Sequence, residues 1–104
     1  YSYLAVQRLR QHGHPVAAVG RRLTRVADVT VETGQPVFDH IDTVTLYLNP
    51  QHQQEYYNYI LSLHPKRIIF NPGAENEELE RIKDKKGIQT MNACTLVMLS
   101  THQY

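Results

Sequence analysis

The sequence predicts an α/β fold in which short parallel strands alternate with helices. The clearest evidence is the segment 67–82, where the apolar run 68–70 stops at Asn71-Pro72-Gly73 and a charged helix follows. A strand, a tight Gly/Pro turn and a helix in immediate succession are typical of a βα unit. The β-type run 43–48 and the helical pattern after it repeat this order. The alternation therefore predicts a doubly wound parallel sheet with helices on both faces, arranged in three layers.

The helix that follows Gly73 carries its own start and stop signals. Asn76 is expected to cap its first turn, and Gly87 is expected to end it in the left-handed conformation. Acidic residues near its start and basic residues near its end complement the helix dipole. They are Glu77, Glu78 and Glu80 at the start, and Lys83, Lys85 and Lys86 at the end.

The first part of the chain is predicted to contain a helix and two strands. Residues 1–12 have a helical apolar pattern with Ser2 as the N-cap, and Gly13 ends the helix. The small apolar residues 16–19 are suited to a buried parallel strand. The alternating segment 28–32 indicates a short edge strand.

The second part of the chain continues the alternation. Asn49 is expected to cap a helix that has Pro50 at its first position. Residues 88–90 are predicted as the last strand, and residues 96–99 fit either a helix or a strand, with Cys94-Thr95 favouring a helix start. The apolar stripe that should face the sheet from the helix after Pro50 comprises Tyr56, Tyr59, Ile60 and Leu63.

The composition is that of an ordinary globular protein, and it excludes several functional classes. A chain of 104 residues with 41% hydrophobic and 20% charged residues is expected to form one domain, residues 1–104. A net charge of +1 gives no case for nucleic-acid binding. The single cysteine rules out an internal disulfide and fits a reducing, cytoplasmic location. No apolar run approaches the roughly 20 residues of a membrane span.

Four turns that directly follow predicted strands form the candidate site. In an open parallel sheet such turns lie along the carboxyl edge, where ligand phosphates or amides can approach backbone N–H groups. An arginine pair on this edge would suit a phosphate-bearing ligand. The alternative for each turn is that its Gly, Pro and Asn residues serve turn geometry alone. The four turns are Gly20-Arg21-Arg22, Asn49-Pro50, Asn71-Pro72-Gly73 and the segment 92–95.

Several short motifs, spread over almost the whole chain, match the pattern of a known protein family. They are Tyr1-Ser2-Tyr3, His12-Gly13-His14, Arg21-Arg22, Asp42-Thr43-Val44, Asn49-Pro50, Phe70-Asn71-Pro72-Gly73, Asn76-Glu77-Glu78-Leu79 and Ala93-Cys94-Thr95. Together they resemble the small bacterial CoA-binding proteins of Rossmann type, which are related to the CoA-binding domain of the succinyl-CoA synthetase α subunit. The Asn-Pro-Gly segment and the tail with the cysteine are the most specific parts of this likeness.

The resemblance implies that coenzyme A or an acyl-CoA binds at the carboxyl edge of a Rossmann-like sheet. The arginine pair is similar to the basic position that holds CoA phosphates in the family, and the Asn-Pro-Gly turn should contact the ligand through its backbone. Cys94 is expected to be buried, because apolar residues follow it directly, whereas a place at the start of the last helix would instead favour a reactive thiolate beside the CoA thiol. No protein partner is predicted. The implied cofactor-binding residues are Gly20, Arg21, Arg22, Tyr47, Asn49, Pro50, Asn71, Pro72, Gly73 and Cys94.

The chain departs from the family pattern in two places. The family's first strand and its Gly-rich phosphate loop are expected to precede Tyr1. The family usually has Asn-Pro before the basic residue after the second strand, where this chain has Gly20-Arg21-Arg22.

Two other functions fit the sequence less well. An NAD(P)-binding redox sensor or oxidoreductase fragment needs an acidic residue after the second strand, and Gly20-Arg21-Arg22 supplies none, although the arginines could tolerate a 2′-phosphate. A ligand-free interaction domain is the second alternative. The histidines lack metal-ligand spacing and no catalytic pattern of Ser, His and Asp stands out, so neither a metal site nor an enzyme is predicted.

Overall fold

The computed structural model describes residues 2–83 and 87–104, which form two compact units. The first unit comprises the residues up to Val37 together with Leu96–Tyr104, and the second is Phe38–Thr95. The helices are α1 (Ser2–Gln11), α2 (Pro50–Gln53), α3 (Tyr57–Ser62), α4 (Glu77–Lys83) and α5 (Thr95–Ser100). The strands are β1 (Ala18–Val19), β2 (Thr24–Val26), β3 (Val29–Glu32), β4 (Thr43–Leu46), β5 (Arg67–Phe70) and β6 (Gln89–Asn92).

The second unit contains a three-stranded parallel sheet in the order β4-β5-β6. Its register pairs Leu46 with Phe70 and Phe70 with Asn92, so the carboxyl ends of the three strands lie side by side. Helices α2 and α3 connect β4 to β5, and α4 connects β5 to β6. The α/β class predicted from the alternating pattern is confirmed.

The core of the second unit explains why residues 68–70 are continuously apolar. Ile68 and Phe70 point to the face of the sheet that packs against Ile60 of α3 and Leu79 of α4. Ile69 points to the opposite face and is equally buried. Because both faces of β5 are covered along residues 68–70, none of these three residues alternates to solvent.

The helical segment after Pro50 differs in detail from the predicted stripe. Ile60 and Tyr56 join the core as expected, but Tyr57 and Leu61 pack beside them in place of Tyr59 and Leu63. The reason is a 3₁₀ turn, Gln54–Tyr56, between α2 and α3. A 3₁₀ turn has three residues per turn and shifts the phase of the helix that follows it.

The first unit contains a mixed sheet in the order β1-β3-β2, which corrects two predictions and adds a strand that was not predicted. Strand β3 is central, not an edge strand, because β1 pairs with it in parallel and β2 pairs with it antiparallel. Strand β2 was not predicted, since Thr24-Arg25-Val26 presents one apolar residue among polar neighbours. Strand β1 is limited to two partly exposed residues and is not the buried strand 16–19. The unit's core consists of Val6, Val26, Val29 and Val31, with Val16 and Ala18 beside them.

Most of the predicted helix ends are confirmed. Gly13 ends α1 in the left-handed conformation, with φ +82°, and the His14 N–H donates to the Leu9 carbonyl at 3.0 Å. Asn49 caps α2 through its side-chain oxygen, and Asn76 accepts a hydrogen bond from the Leu79 N–H at 3.2 Å. Gly87 is also left-handed, with φ +68°. Tyr1, Lys85, Lys86 and the side chain of Lys83 lie outside the described part of the chain.

Within the described residues, no helix has the length and apolar character needed to cross a membrane.

An ion pair joins α1 to the turn between β2 and β3. Arg10 donates from Nε and Nη2 to the two carboxylate oxygens of Asp28, both at 2.8 Å, and from Nη1 to the His14 carbonyl at 2.8 Å. These hydrogen bonds hold the pKa of the Asp28 carboxyl below its ordinary value. The two-oxygen geometry fixes the turn, and the partial exposure of both side chains keeps the energetic contribution small.

The free energy of unfolding should depend on pH through the Arg10–Asp28 ion pair. Because the folded-state pKa of Asp28 is lowered, its stabilisation is present above the unfolded-state pKa of about 4 and is lost as the pH falls through the folded-state pKa. We expect Asp28→Asn to lower the urea midpoint at pH 7, with the difference from wild type shrinking as the pH falls below about 4. Asp39→Asn, at an exposed aspartate of the second unit, is the control. A difference that stays constant down to pH 2 would contradict this role.

Candidate functional site

The carboxyl edge of the sheet β4-β5-β6 brings together three of the four predicted turns. Because the three strands are parallel and in register, the residues that follow Leu46, Phe70 and Asn92 emerge on the same side. The predicted site residues on this edge are Tyr47, Asn49, Pro50, Asn71, Pro72, Gly73 and Cys94. The second unit by itself therefore gathers seven of the candidates.

Asn71 is the structural centre of this edge. Only 1% of it is exposed, and its side-chain nitrogen donates to Thr45 Oγ1 at 2.7 Å and to the Leu46 carbonyl at 2.9 Å. Its side-chain oxygen accepts from the Thr95 N–H at 2.8 Å. The amide group thus uses both of its donors and its acceptor within the protein. Asn71 joins β4, β5 and the start of α5, and the outer surface of its turn is left to Pro72 and Gly73.

A threonine pair extends this network across the edge. The hydroxyl oxygens of Thr45 and Thr95 lie 2.7 Å apart, so one donates to the other. Thr95 is fully buried at the first position of α5, and its N–H is the one that Asn71 accepts. The start of α5 is therefore fixed to β4 and to the turn after β5 by buried hydrogen bonds.

Gln53 is a second buried anchor, and sequence reasoning missed it. Its nitrogen donates to the carbonyls of Leu48 and Ala74 at 2.7 and 2.8 Å, and its oxygen accepts from Asn76 Nδ2 at 2.9 Å. Asn76 Nδ2 also donates to the Tyr57 hydroxyl at 2.8 Å. Gln53 therefore ties the turn after β4 to the loop 71–76. The only sequence signal was a polar residue four positions after the N-cap, which also fits a solvent-facing side chain.

The outer part of the loop is built differently. Gly73 has φ +90°, a conformation that favours glycine, and open space surrounds the position of a side chain there. Its N–H donates to the Glu75 carboxylate at 2.9 Å, and both residues are exposed. Buried hydrogen bonds hold the inner side of this loop, and one exposed carboxylate covers the N–H on its outer side.

The other candidates of the second unit differ in their surroundings. Asn49 is exposed and accepts from the His52 N–H at 3.1 Å, which is its capping role. Tyr47 lies half-buried directly after β4. Cys94 is half-buried, not buried as expected, because it precedes α5 and so lies outside the apolar run that enters the helix.

The remaining candidates belong to the first unit. Gly20 follows β1, and its N–H donates to the Glu32 carbonyl at 2.8 Å. A Cβ atom at Gly20 would lie 3.0 Å from Val31 Cγ1, so glycine allows close packing against β3. Arg21 and Arg22 come next, in a bend, and both are exposed.

A surface cavity of about 470 Å³ lies at the opposite, amino end of the same sheet. Its charged lining carries both signs, and its residues precede β4 and β5 or end α3. They are Phe38, Asp39, His40, Ile41, Asp42, Ser62, Leu63, His64 and Lys66. In the part of the chain that the structure describes, no group of three or more His, Cys, Asp or Glu residues could hold a metal ion.

The stability of the carboxyl edge should depend on Asn71. Asn71→Ala leaves the buried Thr95 N–H without its acceptor and removes two further hydrogen bonds, so we expect a loss of about 3 kcal/mol in the free energy of unfolding. Asn92→Ala, at an exposed asparagine that ends β6, should change it by less than about 0.5 kcal/mol. Urea denaturation measures both. Equal losses in the two variants would show that the network does not support the edge.

Comparisons with known proteins agree with this architecture. A crystal structure of an uncharacterised protein is 55% identical, with a TM-score of 0.95, and the match covers 100% of this chain and 86% of that one. A hypothetical protein from Pyrococcus horikoshii OT3 is 21% identical, with a TM-score of 0.83 over 95% of this chain and 71% of its own. A Thermus thermophilus structure is 18% identical, with a TM-score of 0.81 over 97% and 78%. A comparison with curated proteins finds no significant match.

The family comparison extends this agreement from fold to family. The structural matches and the alternation of parallel strands with helices confirm the Rossmann-like fold. The model of the CoA-binding domain family matches residues 1–100. The match includes all ten predicted site residues, from Gly20 to Cys94. The chain belongs to the CoA-binding domain family.

Proposed function

We propose that this protein binds coenzyme A or an acyl-CoA at the carboxyl edge of its parallel strands, without catalysis of its own. The observation that carries the proposal is the family match over residues 1–100. The geometry supports the location, because ligands of open α/β sheets bind outside the carboxyl ends of the strands. On this edge, the turns after β4, β5 and β6 lie together.

The chemistry of the edge suits recognition of a ligand with several amide and phosphate oxygens. Gly73 lacks a side chain and lies in an exposed turn, so a ligand oxygen can come close to its backbone. In the first unit, Arg21 and Arg22 are exposed after β1, and guanidinium groups are well suited to binding phosphate oxygens. Each arginine presents a planar set of donors that fits two phosphate oxygens at once.

The polar side chains at the edge support a rigid binding surface. Thr45, Asn71 and Thr95 bond to one another and to backbone groups, which holds the strand ends in place. These residues therefore keep the surface beneath the proposed ligand site rigid.

Calorimetry of the full-length protein with CoA, acetyl-CoA and NAD tests the proposal. We expect CoA or its thioester to bind and NAD to give no heat, because Gly20-Arg21-Arg22 offers no carboxylate for a ribose hydroxyl. A ligand that binds only the folded state must also raise the melting temperature, and CoA at 100 times its Kd should add about 2.7 kcal/mol of stability. Tight NAD binding with no CoA signal would overturn the proposal.

The contribution of the arginines can be measured separately. If Arg22 binds a phosphate, Arg22→Ala should weaken CoA binding by about 1.5 to 3 kcal/mol, the scale of a hydrogen bond to a charged group. Arg25→Ala, at an exposed arginine on β2, controls for the loss of one positive charge. If the contact is to the 3′-phosphate, Arg22→Ala should weaken the binding of dephospho-CoA less than it weakens the binding of CoA. Equal CoA affinities for wild type and the Arg21/Arg22 double variant would remove both residues from the site.

A further inference from the structure

The loop 71–76 is held rigidly on one side and is open on the other. Its inward residues Asn71, Ala74 and Asn76 are buried, and buried hydrogen bonds connect them to β4, Gln53 and the start of α5. Its outward residues, Pro72, Gly73 and Glu75, are exposed. The outward backbone groups are therefore fixed in space before any ligand arrives, which lowers the entropic cost of binding to them.

The Gly73 N–H is such a group, and it already has an acceptor. Glu75 Oε1 accepts its hydrogen at 2.9 Å, across two residues of the same loop. A carboxylate oxygen is chemically close to what a ligand offers, since phosphate, thioester and amide oxygens all accept from backbone N–H groups. An exposed N–H would otherwise bond to water, which a ligand displaces at little cost.

We infer that Glu75 is a specificity-determining residue of the CoA site, because its carboxylate occupies the Gly73 N–H in the free protein and competes with the ligand for it. This inference rests on the proposed function. A ligand oxygen can reach the Gly73 N–H only after the carboxylate has turned away into solvent. The residue thus lowers the affinity for every ligand that uses this N–H, and most strongly for an anionic group, which the nearby negative charge repels as well.

The remaining carboxylates of the same stretch allow the competition to be separated from bulk charge. Glu77, Glu78 and Glu80 lie in the first turns of α4 and carry the same charge as Glu75. Glu78 is exposed, like Glu75. Removing Glu78 reproduces the change in net charge without freeing the Gly73 N–H, so the difference between the two variants isolates the hydrogen bond.

Titration calorimetry with CoA on wild type, Glu75→Ala, Glu75→Gln and Glu78→Ala tests the inference. We expect Glu75→Ala to bind CoA roughly three- to tenfold more tightly than Glu78→Ala, the range of one net hydrogen bond. Glu75→Gln should fall between wild type and Glu75→Ala, because its amide oxygen can still accept from Gly73. The melting temperature should hardly change, whereas a merely structural role of Glu75 would lower both the stability and the affinity.

A second measurement follows the Gly73 amide directly. In ¹H–¹⁵N spectra the Gly73 amide resonance should shift in Glu75→Ala and shift again on addition of CoA, and it should be unaffected by Glu78→Ala. The inference would be overturned if Glu75→Ala and Glu78→Ala bound CoA equally well, or if the Gly73 resonance did not shift on addition of CoA. The proposed function would stand in either case. Absence of CoA binding in all four proteins would instead overturn the proposed function itself.

Discussion

The hydrogen bonds of the buried Asn71 side chain are the interaction on which the carboxyl edge depends. One amide group connects the end of β4, the end of β5 and the first residue of α5. Three backbone segments that end or begin at one place leave polar groups that water cannot reach. An asparagine satisfies them because it carries two donors and an acceptor on a short, rigid side chain. An apolar residue of similar size would leave the Thr95 N–H unsatisfied.

Gln53 and Asn76 are buried amide side chains that, like Asn71, are satisfied by hydrogen bonds within the protein. Gln53 is fully buried, yet its amide bonds to two carbonyls and to Asn76, so its burial carries no unsatisfied group. Hydrogen bonds to Thr45 of β4 and Gln53 of α2 therefore fix the loop 71–76. On its outer side, the Gly73 N–H donates to the Glu75 carboxylate. Rigid support beneath an exposed turn is what a binding edge requires.

Local signals in the sequence were sufficient for the order of strands and helices in the second unit, although not for the phase of the helix after Pro50. The apolar run 68–70, the Asn-Pro pair at 49–50 and the cap at Asn76 each act over a few residues, and the structure confirms each of them. The first unit was predicted less well. Its strands β1 and β2 contain two and three residues, and both pair with β3. Such short strands leave too little apolar pattern to detect, since pairing partners are not encoded locally.

The sequence by itself determined the α/β class and the turns that form the candidate edge, because each follows from backbone preferences and apolar spacing within a short window. Only the tertiary structure decided what the residues at that edge do. Asn71, first singled out as a ligand contact, has its side chain engaged inside the protein, and Gln53 holds the loop beside it. Glu75 meets the Gly73 N–H at the surface. The reason is physical: whether a polar side chain is buried and satisfied or exposed to ligand depends on which distant backbone groups the fold brings within hydrogen-bonding distance.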